Sequence, residues 1–244
     1  MKSLQKYPSL HYKQSLITDG RIILLDELLA PEVQQELKSL KTSDGYELLF
    51  LEDSQLAVGL EEILKGIVEK EPDTLLVFPG NGSNYPRRLS RVCKEFPTTT
   101  GVYAKRFWMP GTDPVVITET ICPDIFMITT VKTVVVIDDV ISSGLTMCKL
   151  HQQNAWRFPA AKWVGVAWMA QIPQVRAKSG VKGYDYVSVT CVVGKTNQGR
   201  TPVNSLSTLR HDSTIAESYA RRHFKEPLEF LHLIKNTSSD LSER

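Results

Sequence analysis

Thirteen consecutive residues, Val134-Val-Val-Ile-Asp-Asp-Val-Ile-Ser-Ser-Gly-Leu-Thr146, constrain this chain more than any other stretch. The β-branched run at their start predicts a buried strand over Thr133 to Asp138. That strand ends on two adjacent carboxylates, Asp138 and Asp139, and a hydroxyl-rich loop then opens a helix. Backbone N–H groups at such a helix start, together with the Ser142, Ser143 and Thr146 hydroxyls, form a concave donor set suited to a phosphate dianion. Gly144 permits close backbone approach or an unusual φ, and Leu145 begins the helix behind it. Each charge-assisted hydrogen bond in such a cup contributes about 1.5–3 kcal/mol. The two carboxylates accept from vicinal sugar hydroxyls and help to hold a hydrated Mg²⁺. A phosphate cup one turn from a diol clamp describes a site for ribose 5-phosphate.

The surrounding pattern says what carries this segment. Short apolar runs predict strands at Arg21–Leu25, Tyr46–Leu51, Thr74–Phe78, Gly101–Arg106, Lys162–Met169 and Tyr186–Val193. Amphipathic spacing predicts helices over Pro31–Leu40, Ser54–Glu69, Arg87–Phe96, Gly144–Arg157 and Ser213–Arg222. Pro31 suits a first helical position. Strands separated by helices or long connections imply βαβ units and a parallel sheet covered on both faces, an α/β fold. Ligands of such sheets sit at the carboxyl ends of the strands, here the loops at 79–86, 107–132, 138–146 and 170–180. The stretch 107–132 reads as irregular, with Pro and Gly punctuating it.

Composition narrows the classes further. The chain has 244 residues, 42% hydrophobic and 23% charged, the balance of a soluble globular protein. Its formal net charge of +2 gives no electrostatic reason to expect nucleic-acid or membrane binding. The apolar runs are far short of a membrane span, and the start of the chain has no apolar segment of a secretory signal. The four cysteines (Cys93, Cys122, Cys148, Cys191) and five histidines are scattered without zinc spacing. The cysteines are read as reduced and packed, in a cytoplasmic protein. Trp156, Trp163 and Trp168 are read as core residues. Trp108 stands in the 107–132 loop, and the tail from Asn236 to Arg244 is read as frayed.

The 134–146 segment closely resembles the phosphoribosyl-pyrophosphate (PRPP) motif of type I phosphoribosyltransferases, and the resemblance runs in order from about residue 72 to 195. It implies that family's fold: a central parallel sheet flanked by helices, with a variable hood built from the terminal segments. The division that follows is residues 1–71 as N-terminal hood, 72–195 as core and 196–244 as C-terminal hood extension and tail. By the same resemblance, Gly80, Asn81, Gly82 and Ser83 occupy the place of a pyrophosphate-binding loop, although Gly-x-Gly by itself is also an ordinary turn. Arg87 and Arg88 follow, either near the pyrophosphate or on a solvated helix start. Lys105 and Arg106 match a basic pair that faces pyrophosphate, the other reading being a surface strand end. Residues 107–132 would be a loop that closes over the site. Residues 194–204 stand where a base could be met, or form a solvated turn.

The implied activity is transfer of ribose 5-phosphate from PRPP to a nucleobase-like acceptor, with release of pyrophosphate. Asp138 and Asp139 would be its catalytic and Mg²⁺-binding pair, and the family expectation is a homodimer. Two rivals share the motif: a PRPP- or nucleotide-sensing regulator, and a fragment of a PRPP synthetase-like kinase. No helix-turn-helix with a linker is visible, so the sequence offers no DNA-binding element. In hypoxanthine–guanine enzymes the residue three after the second acid is an Asp suited to proton exchange with the purine. Here it is Ser142, too weak a base for that work without an activating partner.

Overall fold

The apolar runs become strands in two separate sheets. The fold is a computed structural model that describes residues 8–17, 19–26, 29–80, 82–107, 115–120, 130–171, 181–194 and 203–236. The large sheet has seven strands: β1 (Ser9–Ile17), β4 (Thr74–Pro79), β5 (Thr99–Phe107), β6 (Val115–Thr120), β7 (Thr133–Ile141), β8 (Lys162–Gln171) and β9 (Tyr186–Gly194). Their spatial order is β1-β9-β8-β7-β4-β5-β6. All pairings are parallel except β5 with β6, which is antiparallel. The sheet is therefore the expected parallel α/β sheet with one antiparallel edge strand.

Alternation along β7 explains both its burial and the layers around it. Val135 and Ile137 face a core with Leu56, Leu60 and Leu64 of α2 (Asp53–Val68) and with Trp168. Val134 and Val136 face the opposite core, with Met147 and Leu150 of α5 (Leu145–Asn154) and with Trp163 and Tyr184. Side chains two apart share a face of an extended strand, so a run of β-branched residues fills both layers at once. Each leucine of α2 that is withdrawn from water contributes about 1.5–3 kcal/mol.

The second sheet is small and parallel: β10 (Val203–Ser205), β2 (Arg21–Asp26) and β3 (Glu47–Glu52), in the order β10-β2-β3. It joins the two ends of the chain. Around it pack α1 (Pro31–Ser39), α6 (Leu206–His211), α7 (Ser213–His223) and α8 (Pro227–Asn236), sharing a core of Ile22, Leu24, Leu37, Leu206, Ala220 and Phe230. Phe224 and Phe230 stack with ring centroids 4.1 Å apart and planes 16° from parallel. Side-chain oxygens fix two of the helix starts: the Ser205 hydroxyl accepts from the Thr208 N–H, and the Asp212 carboxylate from the Ile215 N–H.

Several expectations are corrected. Residues 1–71 are not hood throughout, because β1 pairs with β9 in the large sheet and α2 packs on its face; only β2, α1 and β3 belong to the smaller unit. The helix expected over Arg87–Phe96 is two short ones, α3 (Asn84–Leu89) and α4 (Arg91–Glu95). Ser90 separates them in an extended conformation, caps α4 through Cys93 N–H at 3.1 Å, and donates to Glu61 at 2.6 Å. The 107–132 stretch is not irregular throughout, since Val115–Thr120 pairs with Val102–Phe107. Strand β7 continues past Asp138 to Ile141. The helix after it ends at Asn154 and tightens into a 3-10 turn, Ala155–Arg157. There Trp156 is 70% exposed, stacked against the Arg157 guanidinium at 4.7 Å, whereas Trp163 and Trp168 are buried as expected.

Candidate functional site: a phosphate cup beneath a hood

Strands β4 and β7 are parallel neighbours, but their chains leave in opposite directions. After β4 the chain runs through α3 and α4 to β5; after β7 it runs through α5 to β8 on the other side. The crevice between their carboxyl ends is a topological switch point, the place where open parallel sheets bind ligands. A cavity of about 150 Å³ occupies it. Pro79, Gly80 and Gly82 form one wall, Asp138, Asp139, Val140, Ser142 and Thr146 the floor, and the hood residues Val203, Asn204, Thr208, Asp212 and Ile215 the roof.

The cup follows from the backbone at the start of α5. Gly144 is its N-cap in the left-handed region, φ 71°, a conformation costly for any residue with a Cβ. Ser143 Oγ accepts from the Leu145 N–H at 3.3 Å, and Gly144 O accepts from Cys148 N–H at 2.9 Å, the first full turn of the helix. Ser142 and Ser143 are half-buried, and Thr146 is buried. Gln171, at the end of β8, brings Nε2 to 3.5 Å from Ser142 Oγ. Behind the helix, Tyr184 donates its hydroxyl to Met147 O at 3.0 Å. Burial, with the nearby Cys148 and Asp138, pushes that phenol well above its ordinary range, so it remains a donor.

The loop after β4 is tied in as tightly. Gly80 N–H donates to Val102 O at 2.8 Å, and the buried Ser83 donates Oγ to Gly80 O at 2.9 Å. Arg87 lies in α3 with its guanidinium over the Phe78 ring at 5.2 Å, while Arg88 is exposed. Lys105 and Arg106 lie on β5, paired with Ile117 and Val116, and nothing about their side chains is among the described features. Asn81, Trp108, Cys122, most of 107–132, the 172–180 loop, residues 195–202 and the tail lie outside the described residues.

The two acids diverge. Successive side chains of an extended strand point to opposite faces, and both residues lie within β7. Asp138, half-buried, accepts the Asp139 N–H on Oδ1 at 3.0 Å. Asp139 is 4% exposed. Its Oδ1 accepts the Val140 N–H at 2.6 Å, and its Oδ2 accepts the Ser205 hydroxyl and, at 3.1 Å, the Thr208 hydroxyl. A Cβ on Gly82 would stand 2.6 Å from Asp139 Oδ1, so only glycine fits there. Both carboxylates nonetheless line the cavity, Asp138 half-buried and Asp139 tied to Ser205 and Thr208.

The roof residues escaped the sequence reading, apart from Val203 and Asn204 at the end of the 194–204 loop. Ser205 and Asp212 carried a legible signal as helix caps. Nothing local tied Ser205 or Thr208 to an aspartate more than sixty residues away. Among the described residues, no group of three or more His, Cys, Asp or Glu side chains could hold a metal ion, and no helix is long and apolar enough to cross a membrane.

The fold and site thus define an α/β protein with a cavity at a switch point of its parallel sheet, lined from both the sheet and the segment 203–215. No family model matches the chain, and no curated protein matches it. Solved structures resemble it in fold, several of them phosphoribosyltransferases. They include the Helicobacter pylori xanthine-guanine-hypoxanthine phosphoribosyltransferase, with 12% identity and a TM-score of 0.45 over 63% of this chain and 86% of that one. A purine phosphoribosyltransferase from Pyrococcus horikoshii has 16% identity and a TM-score of 0.44, over 64% and 91%. A hypothetical protein from Neisseria gonorrhoeae with bound ppGpp has 16% identity and a TM-score of 0.40, over 62% and 82%. At such identities neither substrates nor residue roles pass from those proteins to this chain.

Proposed function

We propose that this protein is a phosphoribosyltransferase, transferring ribose 5-phosphate from PRPP to a nucleobase-like acceptor with release of pyrophosphate. The observation that carries the reading is a cavity lined together by Ser142 and Thr146, by Asp138 and Asp139, and by Gly80 and Gly82. In it the cup takes the 5-phosphate, with Gly144 and Leu145 backbone N–H groups and the Ser142, Ser143 and Thr146 hydroxyls as donors. Asp138 accepts from the ribose hydroxyls, and the 80–83 loop with Lys105 and Arg106 meets the pyrophosphate. Mg²⁺ enters with PRPP, and when bound it neutralises charge on the departing pyrophosphate. Asp138 would help to hold that ion, which substrate phosphates carry with one or two protein carboxylates.

Displacement at the anomeric carbon proceeds through an oxocarbenium-like state, as in glycoside chemistry. The chain's own work is to hold the acceptor nitrogen in line and to keep water out, the second being the office of the hood. The roof gives the acceptor's character. Asn204 has its amide oxygen engaged by the Ser205 N–H at 2.9 Å, which directs its N–H₂ elsewhere as a donor. Asp212 has one oxygen engaged by the Ile215 N–H at 3.0 Å. A carboxylate on this wall disfavours an anionic base such as orotate and favours a neutral ring carrying both an N–H and a carbonyl. The protein acts as a cytoplasmic homodimer in this reading; sedimentation of a 27.5 kDa species would count against the dimer.

The test is pyrophosphate release from PRPP and Mg²⁺ across a panel of neutral and anionic bases, guanine and hypoxanthine included. Release with at least one base is the expected result, and release with none overturns the enzymatic reading. A second reading, a PRPP- or nucleotide-binding sensor, is favoured by one observation: Asp139 is already engaged by the hood. Tight PRPP binding without turnover on any base would select it.

A further inference from the structure

We infer that Asp139 is a positioning residue that clamps the hood to the core and does not bind the ribose hydroxyls. The clamp rests on geometry alone; its consequence for PRPP rests on the phosphoribosyltransferase reading.

A carboxylate has two oxygens and about four acceptor sites, and burying it without partners is costly. Asp139 is buried and matched by donors from two parts of the fold. Val140 N–H, from its own strand, satisfies Oδ1, against which Gly82 is pressed too closely to carry a Cβ. The Ser205 and Thr208 hydroxyls, from the junction of β10 and α6, satisfy Oδ2. Ser205 is fully buried and also accepts the Thr208 N–H at 3.1 Å, so the contact that closes the hood is the same one that caps α6. A sugar diol would have to compete with the Ser205 and Thr208 hydroxyls for Oδ2. Asp138 accepts the Asp139 N–H on Oδ1, and the phosphoribosyltransferase reading gives the diol contact to it. Because Gly82 belongs to the 80–83 loop, one carboxylate also sets the spacing between that loop and the roof.

The experiment compares wild type, Asp138→Asn, Asp139→Asn and the double variant Ser205→Ala with Thr208→Val. Amide hydrogen exchange over residues 203–236 reads the clamp, calorimetric titration with PRPP and Mg²⁺ reads the diol site, and steady-state kinetics separate KM for the acceptor from kcat. Asp139→Asn and the double variant should both speed exchange at 203–211 by roughly tenfold, the scale of one lost charge-assisted hydrogen bond. They should raise the acceptor KM while PRPP affinity stays within about threefold, less than one such bond. Asp138→Asn should lower PRPP affinity by roughly tenfold or more and leave hood exchange as in wild type. The inference is overturned if Asp139→Asn weakens PRPP as Asp138→Asn does while the double variant leaves it unchanged. It is equally overturned if hood exchange is unaltered in both clamp variants. Should Asp139→Asn fail to fold, the double variant, which keeps the carboxylate, carries the exchange and kinetic readouts by the same criteria. If wild type does not bind PRPP, the phosphoribosyltransferase reading falls, and exchange alone decides the clamp.

Discussion

The proposed phosphate cup and the hood face each other across one cavity but are assembled in opposite ways. The cup is a single stretch, Asp138 to Thr146, whose shape comes from a strand end, a left-handed glycine and the first turn of a helix. The hood is stitched from residues 21–52 and 203–236, meeting in the parallel order β10-β2-β3. Local geometry makes the cup; long-range packing, with the chain entropy of bringing distant segments together, makes the hood. The contrast teaches where function is held rigidly and where it is free to vary. A backbone cup accepts few substitutions, whereas a roof of side chains on short helices can change its chemistry residue by residue.

The largest expected effect tests whether the hood has a core of its own. Phe230 is fully buried and stacks on Phe224, so Phe230→Ala should cost about 3–5 kcal/mol in urea unfolding. PRPP affinity of the folded protein should hold; a parallel fall in affinity would break the separation of the two regions. Gly144→Val should act in the reverse sense. At φ 71° the side chain costs about 1–2 kcal/mol of backbone strain. Loss of two cup donors should weaken PRPP by about two orders of magnitude. Stability lost without affinity would mean that the anion sits elsewhere.

Gly82→Ala sharpens the boundary itself. Its Cβ would meet Asp139 Oδ1 at 2.6 Å, and overpacking of this kind costs about 1–3 kcal/mol. The effect should appear in hood exchange as well as in the melting temperature; a melting shift with no exchange change would uncouple loop from hood. The smallest effect belongs to the large-sheet side. His151, packed edge-on to Trp163 at 4.9 Å, is held below its ordinary value of 6.5 by burial, with Asp185 opposing. A histidine kept neutral in the fold contributes stability above the unfolded value, and loses it as pH falls through the folded one. Urea midpoints of wild type should therefore decline on going from about pH 7.5 to about pH 5, and His151→Phe should decline less. Equal slopes would assign the acid sensitivity to other groups.

Much of the large sheet was legible because its signals are local. Val134 to Ile137 alternate between two cores, so a β-branched run is what a doubly covered strand requires. The helix over Leu56, Leu60 and Leu64 announced itself by spacing. Ser90 hid the break between α3 and α4, since a cap within a helical pattern also reads as a tolerated serine. Trp156 misled for a related reason: size argued for burial, but the 3-10 turn after α5 faces it outward. Strand β1 carried little apolar signal, because as an edge strand it exposes Tyr12 and its neighbours while its backbone does the pairing.

By itself, then, the sequence determined the parallel α/β sheet, the strand that ends in two acids, and the glycine-centred cup. Each depends on periodicity, turn chemistry or helix-start donors within a dozen residues. Only the tertiary structure decided that Ser205 and Thr208 close on Asp139, and that Asn204 and Asp212 roof the site. Those contacts join residues more than sixty positions apart, where burial and hydrogen-bond satisfaction, not local pattern, select the partner.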